Sequence, residues 1–536
     1  MARPAWVLLV GLFVVSGNSS SHAAPPSEVE LAARIDGHLA TRWSSANIAP
    51  APSASDAEFL RRAWLDLTGI LPPLNESVDH DGDGKADGFY GVRGFLADAR
   101  SDKRQRLIQH LLSKPTHARH LATIWKNVML PADANVLQFG GDNGFQGWLY
   151  DQFKDNVPYD RMVQNLLLAT GQPNQRGPAL FYTALQLKPE ELAASTSKIF
   201  LGVQIQCAQC HNHPFDHWKR DDFWGFAAFF GRIQQPANQQ VAFQVNELPT
   251  GDLKIPETKE VAAPRFLGGK LSEDGSQSRR QRLADWMTSA ENPYFARATV
   301  NRAWALLFGR GLVDPVDDLG EHNLPSHPEL LNELARDFAE TGFDLKRLLR
   351  SLALTRAYQL SSESAFGGLD ADDRPELFAR MAIKSLTAEQ LYDCLAEAMR
   401  RVESVNNTFA SPQVAFVGVD QNRQQFLNKF RAPTQGATDF QSGIPQALTL
   451  MNGTMIRQAT NLQQSDILIA LEAPIFTDDE RVEVLFLSTL SRPPDATERE
   501  KFASFVKSGG TEGDRRRALG DVLWALLNSA EFVLNH

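Results

Sequence analysis

Ser55-Asp-Ala-Glu-Phe-Leu-Arg-Arg-Ala-Trp-Leu-Asp-Leu-Thr-Gly69, followed by Ile-Leu-Pro72-Pro73, carries the pattern on which the fold reading turns. Ser55 or Asp56 can supply a side-chain oxygen to the first free N–H groups of a helix, apolar residues then return at helical intervals, and Gly69 stands where the helix should end. The two prolines stop regular structure. Working back from this stretch, Leu31, Ile35 and Leu39 recur at helical spacing and predict a helix over 28–43. Working forward, further helices are expected over 103–112, 118–128, 145–153, 159–169 and 190–200. This half of the chain reads as nearly all helix.

Between 234 and 268 the pattern changes. Phe243-Gln-Val245 and Leu253-Lys-Ile255 alternate, and prolines stand at 236, 249, 256 and 264. A short strand-and-loop connector is expected there, dividing a helical domain over 28–233 from a second over 269–536. In the second domain helices are expected over 281–289, 294–308, 328–340, 345–354, 387–402, 444–451, 479–491, 496–507 and 515–528. Ser326 with Glu329 predicts a capping box ahead of the helix at 328–340, and Gly342 follows its end. The Gln- and Asn-rich segment 409–440 is expected to be irregular. The fold class is therefore mainly α, with two helical domains joined by the connector.

Composition narrows the function. The chain has 536 residues and a formal charge of −10, spread along its length and not gathered in one tail. That argues against nucleic acid as a partner, which needs a basic surface to replace counterions. The start reads as a secretory signal over 1–23: Arg3, an apolar run from Trp6 to Val15, then small residues at Ser21 and Ala23 that fit a cleavage site. An uncleaved anchor is the alternative. No later run is apolar enough to span a membrane, so the mature chain is expected in the periplasm or outside the cell. Three cysteines are too few for a disulfide scaffold, yet two of them lie three apart and beside a histidine.

Those two belong to Cys207-Ala-Gln-Cys210-His211-Asn-His213-Pro-Phe-Asp-His217. Two thiols at this spacing can add across the vinyl groups of haem c, with His211 as proximal iron ligand, and covalent haem attachment happens outside the cytoplasm. Three alternatives stay open: a redox-active disulfide between Cys207 and Cys210, a zinc site using both cysteines with His211 and either His213 or His217, and a plain pair of free thiols. Met129, Met287, His117, His120 and His217 are the candidates for a distal haem ligand. A haem reading requires a haem-sized void beside Cys207 and Cys210. The aromatic run Phe223, Trp224, Phe226, Phe229 and Phe230 could wall it, or could be ordinary core.

A second candidate is Asp79-His-Asp81-Gly-Asp83-Gly84-Lys85-Ala-Asp87, which places oxygen donors at positions 1, 3, 5 and 9 of an EF-hand-type loop. Gly84 falls at the sharp turn and Lys85 would offer its backbone carbonyl, but position 12 is Tyr90 and not a carboxylate. Calcium in a structural role is expected here, against a solvated acidic turn. Asp317-Asp318-Leu-Gly-Glu321-His322, with His327, also looks like a metal cluster, although local backbone bonds and arginines could account for it. Cys394 shares a helix face with Leu391, Leu395 and Ala398 and reads as core. No nucleophile elbow, phosphate loop or dinucleotide fingerprint stands out.

Arg61-Arg-Ala-Trp-Leu-Asp-Leu-Thr-Gly-Ile-Leu-Pro72, Asn156-Val-Pro-Tyr-Asp160 and the segment from Cys207 to Asp216 resemble a planctomycete cytochrome-c-like domain of unknown function found in large exported proteins. Asn292-Pro-Tyr-Phe-Ala-Arg-Ala-Thr-Val-Asn-Arg302, Phe308-Gly-Arg-Gly-Leu-Val313, Ser326-His-Pro-Glu-Leu-Leu331 and the ending Trp524 to His536 are similar to its usual partner domain, also of unknown function. The resemblance implies an exported two-domain protein. From the residues, the expected activity is electron transfer or a redox step with an unknown partner. The other reading is a non-redox, cell-surface or polysaccharide-associated protein with a metal or disulfide at the same place.

Overall fold

The computed structural model describes residues 25–80, 86–131, 143–172, 176–234, 244–269, 271–272, 275–363, 374–399, 421–430, 451, 453–463 and 465–536. Its elements are helical apart from three two-stranded antiparallel pairs. The first half contributes α1 (Glu28–Ala46), α2 (Asp56–Thr68), α3 (Val92–Ala97), α4 (Lys103–Ser113), α5 (Pro115–Met129), α6 (Asn143–Lys154), α7 (Tyr159–Leu167), α8 (Arg176–Ala184), α9 (Pro189–Thr196) and α10 (Arg220–Ala227). The second contributes α11 (Arg279–Met287), α12 (Phe295–Phe308), α13 (Pro328–Glu340), α14 (Leu345–Leu354) and α15 (Ala388–Ala398). It continues with α16 (Gln421–Phe430), α17 (Thr454–Ala459), α18 (Asp466–Leu471), α19 (Asp478–Leu490), α20 (Ala496–Ser508), α21 (Arg515–Leu527) and α22 (Ala530–Val533). The mainly α class follows directly from this order. Among the described residues, no helix is long and apolar enough to cross a membrane. The expected signal at 1–23 lies outside the described residues.

α2 forms as its sequence dictates. Ser55 Oγ accepts from the Glu58 N–H at 3.2 Å, and Gly69, at φ 75°, closes the helix by donating to the Leu65 carbonyl. Every residue from Phe59 to Thr68 is buried, including Arg61, Arg62 and Asp66. Buried charge is tolerated only where it is paired or hydrogen-bonded, and here the partners come from far along the chain. Arg61 donates to the carbonyls of Thr489, Glu531 and Phe532 at 2.9–3.0 Å. Arg62 donates to those of Tyr358 and Leu360, both at 2.8 Å. Asp66 accepts from Lys384 Nζ at 2.6 Å, Asn535 Nδ2 at 2.6 Å and the Tyr358 hydroxyl at 2.9 Å. β5 (Lys384–Ser385) pairs with β6 (Leu534–Asn535) beside this knot. The chain end is thus drawn back onto its second helix.

Two hydrophobic cores result. One runs from Leu31 to Met381, takes in Leu487 from far along the chain, and continues across the connector, whose Val245, Ile255, Ala262 and Leu267 are all buried in it. The connector's β3 (Leu253–Lys254) and β4 (Val261–Ala262) pair, and Arg265 N–H donates to the Gly225 carbonyl of α10. The second core runs from Leu386 to Phe532 and takes in Leu65 and Leu71 from the α2 region.

Two local expectations change, and one of two open readings is met. α13 has His327 as its N-cap with Pro328 in the first turn, so Ser326 and Glu329 form no capping box; Ser326 Oγ donates instead to the Leu312 carbonyl at 3.1 Å. The segment expected to be irregular at 409–440 contains α16, which buries Phe426, Leu427 and Phe430 against Tyr392. The aromatic run 223–230 is buried core, with Phe229, Phe266 and Trp286 stacked in series. The helix expected at 444–451 lies almost wholly outside the described residues.

Candidate functional site

α9 runs on into a π turn (Ser197–Leu201) that ends at Gly202 with φ 64°. Gly202 sets the site. A side chain there would meet Leu319 Cδ1 at 2.3 Å, so only glycine lets the loop around Leu319 close down, and the Leu319 N–H donates to the Gly202 carbonyl at 2.8 Å. Lys198 Nζ pairs with Asp317 at 3.2 Å, and Arg302 of α12 donates to the Ile199 carbonyl. These bonds dock the loop at 314–323 onto the strand of chain leading to Cys207.

Gln206–Gln209 then makes a single 3₁₀ turn. Ala208 is buried beneath it, and Trp224 Nε1 of α10 donates to the Gln209 carbonyl at 3.0 Å. Cys207 and Cys210 emerge from this turn exposed, with both thiols free. His211 is exposed too, and its Nδ1 lies 2.7 Å from the Asn212 carbonyl. The cysteines therefore stand at the surface, and the enclosed haem-sized void expected beside them is not found among the described residues. The aromatic run 223–230 lies in the core, as the second of its two readings had it.

His213 does not turn toward the cysteines: its Nδ1 accepts from the Phe215 N–H at 3.3 Å. His217 turns the other way, toward the docked loop. Its Nδ1 lies 2.7 Å from Asp216 Oδ1 and 3.6 Å from Glu321 Oε1. His322 stands opposite, with Nδ1 4.0 Å from Asp216 Oδ2 and Nε2 3.2 Å from Asp318 Oδ2. Among the described residues, the one group of three whose ligand atoms gather within 4.8 Å is Asp216, His217 and Glu321. The set of Cys207, Cys210 and His211 with His213 or His217 is not gathered in this way. Burial raises the nearby Tyr294 phenol above its ordinary value, and the Asp216 and Glu321 charges add to the effect.

In the sequence Asp216 stands inside the cysteine motif with no ligand role assigned, and Glu321 and His322 belong to a candidate cluster separate from His217. The available signal was that both segments carry an acid directly before a histidine. What it lacked was the docking at Gly202 that joins them.

Of the other distal candidates, Met129 and Met287 are buried in the main core. His117 and His120 pack on α5 against the end of α2. His117 Nδ1 is 2.7 Å from the Leu67 carbonyl, and burial drives the two imidazoles down to about 4 and about 3, so both are neutral. Burial likewise pushes the Cys394 thiol up, which suits an inert core residue.

In the acidic loop, Asp81, Asp83 and Lys85 lie outside the described residues. β1 (Ser77–Val78) and β2 (Gly88–Phe89) pair at its base. Asp87 Oδ1 accepts from the His80 N–H at 3.1 Å, Asp79 is exposed, and the Tyr90 hydroxyl at position 12 lies 2.8 Å from His80 Nε2. His327 is buried and held apart from the 317–322 loop, with its Nδ1 3.0 Å from Ser326 Oγ.

Two family models match the chain. One is described as PSCyt2, protein of unknown function (DUF1549), over residues 34–235, and the other as PSD1, protein of unknown function (DUF1553), over residues 279–506. No curated protein and no solved structure matches. Cys207 to His217 fall in the first matched region, while Asp318, Glu321 and His322 fall in the second.

Proposed function

We propose that this chain, which pairs the two planctomycete-type domains of unknown function, is an exported electron-transfer protein that carries a c-type haem at Cys207, Cys210 and His211. One observation carries the reading: a single surface turn presents two free thiols next to a histidine whose Nδ1 is engaged by a carbonyl. That bond leaves Nε2 of His211 as the donor free for iron, which is how second-sphere contacts select the ligating nitrogen. The thiols would form the thioether anchors, and the haem would supply one-electron exchange.

The chain's own residues hold this turn in place. Buried Ala208 and the Trp224–Gln209 bond fix its underside, and Phe215, 78% exposed, offers apolar surface next to it. Without the enclosed void expected for it, a haem anchored here would rest on open surface beside Phe215, reachable by a partner protein. The acidic loop at 79–87 fits a structural calcium site, because the β1–β2 pair brings its two ends together.

The test is production of the chain with a c-type haem attachment system in an exported compartment. Haem that stays with the polypeptide under denaturing conditions, together with a Soret band, is the expected result. Protein that matures fully folded without covalent haem rules the reading out. Cys207→Ala should abolish double attachment without unfolding the chain, since the residue is exposed.

A further inference from the structure

We infer that Asp216, His217, Glu321 and His322 form a zinc-class divalent metal site that spans the junction between the two matched domains, separate from the cysteine pair. Asp216 is the buried member of the group. Its side chain is 5% exposed, yet among the described residues its charged partners are the imidazoles of His217 and His322, and no lysine or arginine pairs with it. Among the described residues Glu321 likewise pairs with His217 alone, and Asp318 with His322 alone. Three carboxylates thus converge, one of them buried, without a permanent cation. Buried carboxylates are ordinarily paired with a cation or bound to a metal.

The donor atoms of Asp216, His217 and Glu321 already lie within 4.8 Å of one another, and His322, outside that group, moves in as the fourth ligand. Ligand atoms about 2.1 Å from a tetrahedral centre stand about 3.4 Å apart. The His217–Glu321 separation is 3.6 Å and the His322–Asp216 separation 4.0 Å, while Asp216 Oδ1, 2.7 Å from both the backbone N–H and Nδ1 of its neighbour His217, has to draw back slightly for an ion to enter. The outer nitrogen of His322 is held by Asp318, leaving Nδ1 directed inward, which is the carboxylate–histidine–metal arrangement. Space is kept by Gly320, where a Cβ would lie 2.7 Å from Asp216 Oδ2 and 2.6 Å from the His322 ring. Two imidazoles with two carboxylates suit zinc and neighbouring first-row ions better than calcium or magnesium. The ligands come from positions 216–217 and 321–322, one pair on each side of the Gly202 docking.

Titration calorimetry with zinc chloride tests this on metal-free protein carrying Cys207→Ser and Cys210→Ser, which removes the thiolates as competing ligands. One equivalent should bind. Glu321→Gln in the same background should weaken binding at least tenfold; Glu321 is 80% exposed, so that variant keeps its fold. Asp318→Asn, which acts only by orienting His322, should weaken it by roughly 10–100-fold. Cobalt bound in place of zinc should show no thiolate charge-transfer absorption in the unmodified protein. At zinc a hundredfold above its Kd the folded-to-unfolded ratio should rise about a hundredfold, and Glu321→Gln should lose that gain. Loss of zinc binding on removing the cysteines, retention of full affinity in Glu321→Gln, or no binding in the cysteine-free protein would each overturn the inference.

Discussion

Replacing Lys384 by methionine should destabilise the C-terminal half of the molecule by about 3 kcal/mol. Lys384 Nζ lies 2.6 Å from Asp66 Oδ1 and also donates to the Leu306 and Leu307 carbonyls at 3.2 and 2.7 Å. Methionine keeps most of the packing but leaves Asp66, whose side chain is 4% exposed, without its cation. Breaking a buried pair from one side costs about 3–5 kcal/mol. The Tyr358 hydroxyl and Asn535 amide stay on the carboxylate and hold the loss at the lower end. Asp66→Asn alone should cost a similar amount by stranding the ammonium. The double variant should fall short of the sum by about 1–3 kcal/mol, because neither charge is then left unpaired. A chain with two cores need not unfold in one step. The readout is therefore the urea midpoint of the transition that loses the 386–532 core, alongside proteolytic release of the 534–536 end. A single-variant cost below about 1 kcal/mol, or strict additivity in the double variant, would refute the reasoning.

Acid should weaken the fold through its buried histidines. His117 and His120 sit at about 4 and about 3 in the folded chain against 6.5 when free, so the unfolded chain binds the extra protons. Stability is then fully present above about pH 6.5 and falls as pH drops toward 4; His117→Asn should flatten that slope in denaturant melts taken across the range. Gly69→Ala should cost about 1–3 kcal/mol, since φ is 75° and the new Cβ would stand 2.4 Å from His120 Nδ1; an unchanged melting temperature would contradict it. Calcium should raise the melting temperature of the chain at millimolar concentration, and Asp83→Ala should remove the rise without changing the metal-free value.

Much of the helical framework was readable because it is encoded locally. α13 and α14 begin and end where the sequence puts them, with Pro328 and the Asp344 cap fixing their starts. α16 escaped notice because Gln and Asn dominate it, although Phe426, Leu427 and Phe430 already mark one face of a helix. The connector at 234–268 was legible as a change in secondary structure, but side-chain packing does not follow composition, and the first core passes through it to Met381. The site was legible only in halves. Nothing periodic links Asp216 to Glu321; a positive φ at Gly202 and one backbone bond from Leu319 bring them together. Such a docking belongs to the folded surface and leaves no spacing in the sequence.

The same distance between cause and effect explains why the two domains occur in one chain. α2 carries Arg61, Arg62 and Asp66 into a buried position, and helical spacing alone would make that a costly place for charge. Their partners are carbonyls and side chains at 358–360, 384, 489 and 531–536, outside the first matched region altogether. A first domain without the second would hold two guanidinium groups and a carboxylate with most of their bonds unmade. At the other contact, Asp216 and His217 pair with each other and gain a further imidazole and a further acid from the 317–322 loop. Each half therefore leaves polar groups unsatisfied that the other completes. The pairing follows from hydrogen bonding and charge, and it holds independently of any role of Cys207, Cys210 and His211.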